Sequence, residues 1–240
     1  MRKSLEDYKD IFVDEDYKIY IQVLLSVSIC PDFWDVLYVD KDEYFCQSYY
    51  KFQKYICILV NSLINCSHKR LWTDDYKNII QTYPDIEFNN NPEIKNCVAC
   101  SFKDTNKTFL KIRFFGKPYD AQTLTQLSHD ILLDKIIDKS LMDKEEDDQI
   151  ALYVCPPCSE MTQMYHQIFH CQYKIYQKCK SQIIVIRDRE QYQNKRLTLE
   201  QLMELAFDKK GWKEAIISEI RTVWDNALYY SERFVELQSN

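Results

Sequence analysis

Cysteine and histidine are the residues of this chain whose types and spacing can do chemistry. Cys97-Val98-Ala99-Cys100 and Cys155-Pro156-Pro157-Cys158 form a C-x2-C…C-x2-C set, and His166 and His170 follow four residues apart. Two thiolates at that spacing can grip one ion from a single tight turn, and two such turns complete a tetrahedral zinc site. A structural Zn2+ on Cys97, Cys100, Cys155 and Cys158 is therefore the first expectation. Residues 101–154 separate the pairs, a long insertion for a zinc ribbon, so the fold must bring the two turns together.

The histidines share one helix face, a spacing that can also bind zinc. If the helix begins just after Cys158, His166 stands two turns on, about 12 Å along the axis at 1.5 Å per residue. One ion with bonds of about 2.0–2.3 Å cannot easily join backbones so far apart. A set in which His166 or His170 replaces Cys155 is the alternative, and it requires a helix start near 161. Failing that, the histidines belong to a polar helix face or a packing contact. CPPC also reads as a redox dithiol, which needs a strand-to-helix junction inside a βαβ frame. The motif precedes a helix, but no βαβ pattern surrounds it.

No catalytic constellation accompanies the metal ligands. A four-thiolate site has no open position and no adjacent base. HExxH is absent, His68 and His129 are isolated, and the two glycines of the chain form no phosphate-cradling loop. No enzymatic activity and no small-molecule substrate are expected.

The elements that must position these residues read mostly as helices. Tyr17, Tyr20, Val23, Leu24 and Val27 recur at helical spacing until Cys30-Pro31. Phe45, Tyr49, Phe52, Ile56, Leu59, Leu63 and Cys66 trace one seam of a second, longer helix, and a third spans roughly 73–83 after a Thr-Asp-Asp start. Residues 85–96, DIEFNNNPEIKN, read as a polar connector, TFLKIRFF at 108–115 as a strand closed by Gly116, and 120–142 as helical again. The acidic run at 143–148 reads as a solvated loop, and IALYVC at 150–155 as a second strand pairing with the first. A long helix is expected from Ser159, with Met161, Met164, Ile168, Cys171, Ile175 and Cys179 on one seam, so Cys171 and Cys179 are core thiols. SQIIVIRD at 181–188 is a strand or a helix tail. A terminal helix from Lys210 carries Trp212, Ile216, Ile220, Val223, Ala227, Tyr230 and Phe234. The predicted class is α+β, mostly α-helical, with a small β element around the zinc site. A helical part over 1–90 and a zinc-containing α+β part over 91–240 are expected to make one compact domain.

Composition narrows the function. At 240 residues, 46% hydrophobic and 14% aromatic, the chain is long and apolar enough to bury a core. The run IYIQVLLSVSI at 19–29 is too short and polar to span a bilayer, and MRKSLEDYKD has no signal-peptide core. A soluble intracellular protein with reduced cysteines and no membrane partner is expected. Net charge is −6, so any nucleic-acid contact must come from a local patch. Two candidates interleave basic and aromatic residues: Lys111, Arg113 and Lys117 by the first strand, and Lys174, Lys178 and Lys180 in KIYQKCK. Eighteen tyrosines favour protein docking instead, since Tyr buries area beneath a polar tip.

The segment NCVAC…TFLKIRFFGKPYD, then CSEMTQMYHQIFHCQYKIYQKCKS and the GW-initiated terminal helix, resemble the domain of unknown function 4211 family over about residues 40–235. The Cys158-x7-His166-x3-His170 register is part of what matches, which keeps the histidines among the candidate ligands. The resemblance implies nuclear residence and association with chromatin or transcription regulators, with no enzymatic activity established. The family's long disordered N-terminal regions have no counterpart in these residues, and a dedicated subunit of a complex is expected. A zinc-stabilised protein-interaction scaffold is thus the first functional expectation. A nucleic-acid-binding module and a thiol redox enzyme using CPPC are the alternatives.

Overall fold

The computed structural model describes residues 12–66, 72–93, 96–100, 109–127, 143–145, 149–192 and 197–239. In chain order these hold α1 (Asp14–Ile29), α2 (Phe33–Tyr38), α3 (Glu43–Cys66), α4 (Asp74–Thr82), β1 (Asp85–Glu93) and β2 (Phe109–Phe115). Then come β3 (Asp143–Glu145), β4 (Gln149–Val154), α5 (Pro156–Phe169), α6 (Cys171–Tyr192), α7 (Leu199–Phe207) and α8 (Trp212–Ser239). The chain is mostly helical with one small antiparallel sheet, as its sequence indicates. Its contacts gather it into two compact units. One unit joins Met1–Leu59 to Cys171–Tyr229, and the other joins Val60–His170 to Tyr230–Asn240.

In the first unit α1 is the central helix. Ile19, Ile21, Val23, Leu24, Leu25 and Val27 are all buried on it, so its apolar face is broad and leaves only a narrow half-buried polar line through Lys18 and Gln22. It packs against α6 and α7. Rings fill much of the remaining core: Tyr20 stacks on Phe52 at 4.1 Å, Tyr17 meets Phe52 edge-on at 5.3 Å, and Trp224 meets Tyr55 at 4.7 Å. The buried face of α3 therefore uses Tyr55, while Ile56 is only half-buried. SQIIVIRD lies wholly within α6, and Cys171 and Cys179 are core thiols as expected.

The second unit is built on a sheet of order β1-β2-β4-β3, antiparallel at every pairing. Strand β2 alternates, with Phe109, Ile112 and Phe114 buried and Lys111 and Arg113 half-exposed. Helix α5 packs against β2 and α4 against α5. The turn after β2 needs glycine: Gly116 has φ +91°, and a Cβ there would lie 2.6 Å from the Asp85 carboxylate.

Four expectations are corrected here. Residues 85–93 are not a connector but strand β1, paired with β2 from Asp85↔Phe115 to Asn89↔Lys111. Residues 143–145 of the acidic run form the edge strand β3. Helix α5 starts at Pro156 rather than Ser159, because proline at the first helical positions loses no hydrogen bond and already has the helical φ. The segment after Tyr119 is a turn, not a helix: Asp120 Oδ1 accepts the N–H groups of Gln122 and Thr123 at 3.0 and 2.7 Å, and Tyr119 bridges to Gln126. Residues 128–142 of that expected helix lie outside the described residues.

Candidate metal centre

Backbone contacts place the first cysteine pair. Cys97–Cys100 is a tight turn, fastened on one side by Val98 N–H to the Tyr153 carbonyl of β4 at 3.0 Å. On the other side its Ala99 carbonyl accepts the Thr73 N–H at 2.9 Å. Thr73 is the N-cap of α4, its hydroxyl accepting from Tyr76 N–H, so the turn is bound to a strand and to a helix start at once.

The second pair stands where β4 becomes α5. Cys155 is the N-cap, the prolines fill the first helical positions, and Cys158 lies in the first turn. The positive end of the helix dipole favours anionic sulfur there. Thr162 holds this turn: its hydroxyl donates to the Cys158 carbonyl at 2.7 Å and accepts from Tyr76 OH at 2.6 Å. Tyr76 thereby ties α4 to the turn that carries Cys158.

The four sulfurs converge, all within 4.8 Å of one another, and form the one group among the described residues that can hold a metal ion. Cys97 and Cys100 are 3.5 Å apart and Cys100 and Cys155 4.0 Å. Tetrahedral zinc with bonds of about 2.3 Å sets sulfurs about 3.8 Å apart, so the spacing suits that ion. Cys97, Cys155 and Cys158 are buried and Cys100 is half-buried. The thiols are driven opposite ways. Hydrogen bonds from Cys155 and then Cys158 push the Cys97 thiol far down, and hydrogen bonds to Cys155 and Cys97 push that of Cys158 far up. Crowded sulfurs that must share protons are a donor set from which a divalent cation displaces them.

The structure does not bring the histidines into this group. Both are fully buried on α5, four residues apart, their rings 4.3 Å from each other. His166 Nε2–H donates to the Tyr83 carbonyl at 2.9 Å and His170 Nε2–H to the Ile80 carbonyl at 2.7 Å. Tyr119 OH and His170 Nδ1 are 2.7 Å apart. Ile80 lies in the last turn of α4 and Tyr83 is its C-cap, so the two imidazoles cap the end of that helix, where carbonyls lack intrahelical partners.

CPPC sits at a strand-to-helix junction, as a redox reading asks, but β4 is flanked by antiparallel neighbours on both sides. The residues weighed for nucleic acid fall in different units. Lys111, Arg113 and Lys117 lie on or after β2, and Lys174, Lys178 and Lys180 on α6. Arg113 pairs with Glu87 at 3.0 Å and Lys178 with Glu219, which neutralises two of the six charges. Sequence reasoning missed Tyr76, Thr162 and Thr73. The Thr73-Asp74-Asp75 capping pattern was visible, but not that its N–H reaches the CVAC turn.

Among the described residues no helix is long and apolar enough to cross a membrane. No solved structure matches the chain. A family model does match, over residues 2–124, which takes in Cys97 and Cys100 and stops short of Cys155 and Cys158. It covers just over half of the chain, which therefore belongs to the family described as a domain of unknown function, DUF4211.

Proposed function

We propose that this chain is a non-enzymatic, zinc-stabilised protein-interaction scaffold, working as a subunit of a nuclear complex that regulates chromatin or transcription. The observation that carries the reading is the closed set of Cys97, Cys100, Cys155 and Cys158. Four sulfurs fill a tetrahedral ion, leaving no position for substrate or water, and three of the four are buried. Zinc held there would fasten the CVAC turn, the end of β4 and the start of α5. Its contribution is to folding, and catalysis would need an open site. Docking is supported by exposed Tyr38, Tyr44, Tyr50 and Tyr229, since tyrosine is enriched where proteins meet. The ground for the chromatin assignment is the nuclear residence that the family resemblance implies.

The test is native mass spectrometry of the chain purified separately from the nuclear and non-nuclear fractions of cells. Zinc at one ion per chain, together with a defined stoichiometry of partner subunits that survives moderate salt, is the expected result. An inert monomer found outside the nucleus would overturn the reading.

A further inference from the structure

We infer that the four-cysteine centre is also a peroxide-sensitive switch: Cys100 is oxidised first, Cys97 closes a disulfide onto it, and the bound ion is released. The four sulfurs do not face solvent equally. Cys97, Cys155 and Cys158 are 1% to 4% exposed, whereas Cys100, at the end of the CVAC turn, is half-buried. Its sulfur is therefore the one of the four that a small oxidant reaches most readily. Two further sulfurs stand beside it, Cys97 Sγ at 3.5 Å and Cys155 Sγ at 4.0 Å. Exposure alone does not single Cys100 out, because Cys30 and Cys46 are half-buried too and Cys57 is exposed. Cys100 differs in belonging to the group whose four sulfurs lie within 4.8 Å of one another, where a bound cation keeps each ligand deprotonated. An accessible thiolate with a second thiolate at hand is the arrangement in which oxidation stops at a reversible disulfide instead of running on to an irreversible acid.

The chemistry balances with a hydroperoxide as the one co-reactant. The Cys100 thiolate attacks a peroxide oxygen: an S–O bond forms, the O–O bond breaks, and hydroxide leaves a sulfenic acid behind. The Cys97 thiolate then attacks that sulfur: an S–S bond forms, the S–O bond breaks, and a second hydroxide leaves. The two thiolates together give up two electrons, which the peroxide oxygens take. Cys97 is the resolving thiol because it is the nearer and shares the C-x2-C turn, so closure asks no movement of β4 or α5. The bonds that hold the turn, Val98 N–H to the Tyr153 carbonyl and Thr73 N–H to the Ala99 carbonyl, can stay in place. Cys97 and Cys100 then offer no thiolate, and Cys155 and Cys158 alone do not fill a tetrahedral ion. What is lost is the link between the CVAC turn and the start of α5, a joint within the second unit. The switch rests on the zinc of the scaffold reading and names what regulates it. It is not a redox enzyme: the CPPC sulfurs are buried and Cys100 reacts once until it is reduced again.

The test titrates hydrogen peroxide into the whole zinc-loaded chain after reductant is removed. Released zinc is read with an absorbing chelator dye, and disulfides are located by peptide mass mapping after alkylation. About one zinc should be released for each disulfide formed, with Cys97–Cys100 the first pair to close. Dithiothreitol, whose two thiols take the disulfide's place, should restore the starting state once zinc is added back. Cys100→His keeps a fourth ligand, since three cysteines and one histidine are a common zinc set, but removes the accessible sulfur. It should release zinc about tenfold more slowly than wild type, or slower still. If that variant holds no zinc, the disulfide mapped in the wild type decides alone. Zinc kept against excess peroxide would overturn the switch and leave the scaffold reading standing. No zinc in the untreated chain would overturn both. A first disulfide between any other pair, or release from Cys100→His at the wild-type rate, would also overturn the switch.

Discussion

Cys97, Cys100, Cys155 and Cys158 meet because each is held by something other than metal: a turn bonded to Tyr153 and Thr73, and a helix start bonded through Thr162 to Tyr76. A pre-shaped site of this kind predicts a sharp division among variants. Purified protein should carry about one zinc per chain by mass spectrometry, and Cys97→Ser or Cys158→Ser should lose most of it. His166→Ala and His170→Ala should keep it, because their rings serve the end of α4. His170→Ala should instead lower stability by about 2 kcal/mol, the loss expected when buried hydrogen bonds are broken, read from urea unfolding of the zinc-loaded protein. Zinc lost with a histidine variant would move the ligand set. The cysteine set was legible because chelation demands a fixed local spacing. The helix-capping role of the histidines was not, because the carbonyls they cap lie more than eighty residues away in sequence and carry no residue signature.

At the scale of elements, local signals succeeded where side chains alone set the conformation. FLKIRFF alternates and is rich in β-formers, and β2 is a strand. DIEFNNNPE is not, and β1 owes its extension to pairing with β2. Its Asn-rich end and Pro92 suit an edge strand, and only Ile86 and Phe88 kept the period of two. The start of α1 supplies a test at this scale. Asp16 accepts from Val13 N–H at 3.0 Å, Ser48 Oγ at 3.0 Å and Lys51 Nζ at 2.6 Å, joining α1 to α3. Burial alone would raise its carboxyl pKa, but the Lys51, Val13 and Ser48 hydrogen bonds outweigh it and hold the carboxyl below its usual range. A carboxylate whose pKa is depressed by folding stabilises above its unfolded value of about 3.9, and that stability disappears as pH falls through the folded value. Asp16→Asn should therefore cost about 2 kcal/mol at pH 7 and progressively less below about pH 4, measured by urea unfolding at each pH. A penalty unchanged at pH 3 would mean that packing, not charge, makes the bond.

For the whole molecule, the division into two units is what sequence order hides most completely, since both are assembled from segments distant in the chain. The contacts that shape the candidate metal centre lie in the second unit: the Cys97–Cys100 turn, the Thr73 cap, Tyr76, Thr162, β4 and the start of α5. The first unit has a core of its own, with Tyr20, Leu24, Leu37, Phe52 and Trp224 nearly inaccessible to solvent. Apolar burial of that kind does not depend on an ion, whereas folding around structural zinc draws part of its free energy from the metal. Chelation should therefore act unevenly. In hydrogen exchange followed by mass spectrometry, treatment with a strong chelator should speed exchange in residues 72–82, 109–115 and 149–169. Residues 16–29 and 172–190 should keep their protection, as α1 and α6 remain packed together. Simultaneous loss of protection in both sets would mean that the units unfold as one cooperative body. No change in either would mean that the four cysteines hold no ion that the fold requires.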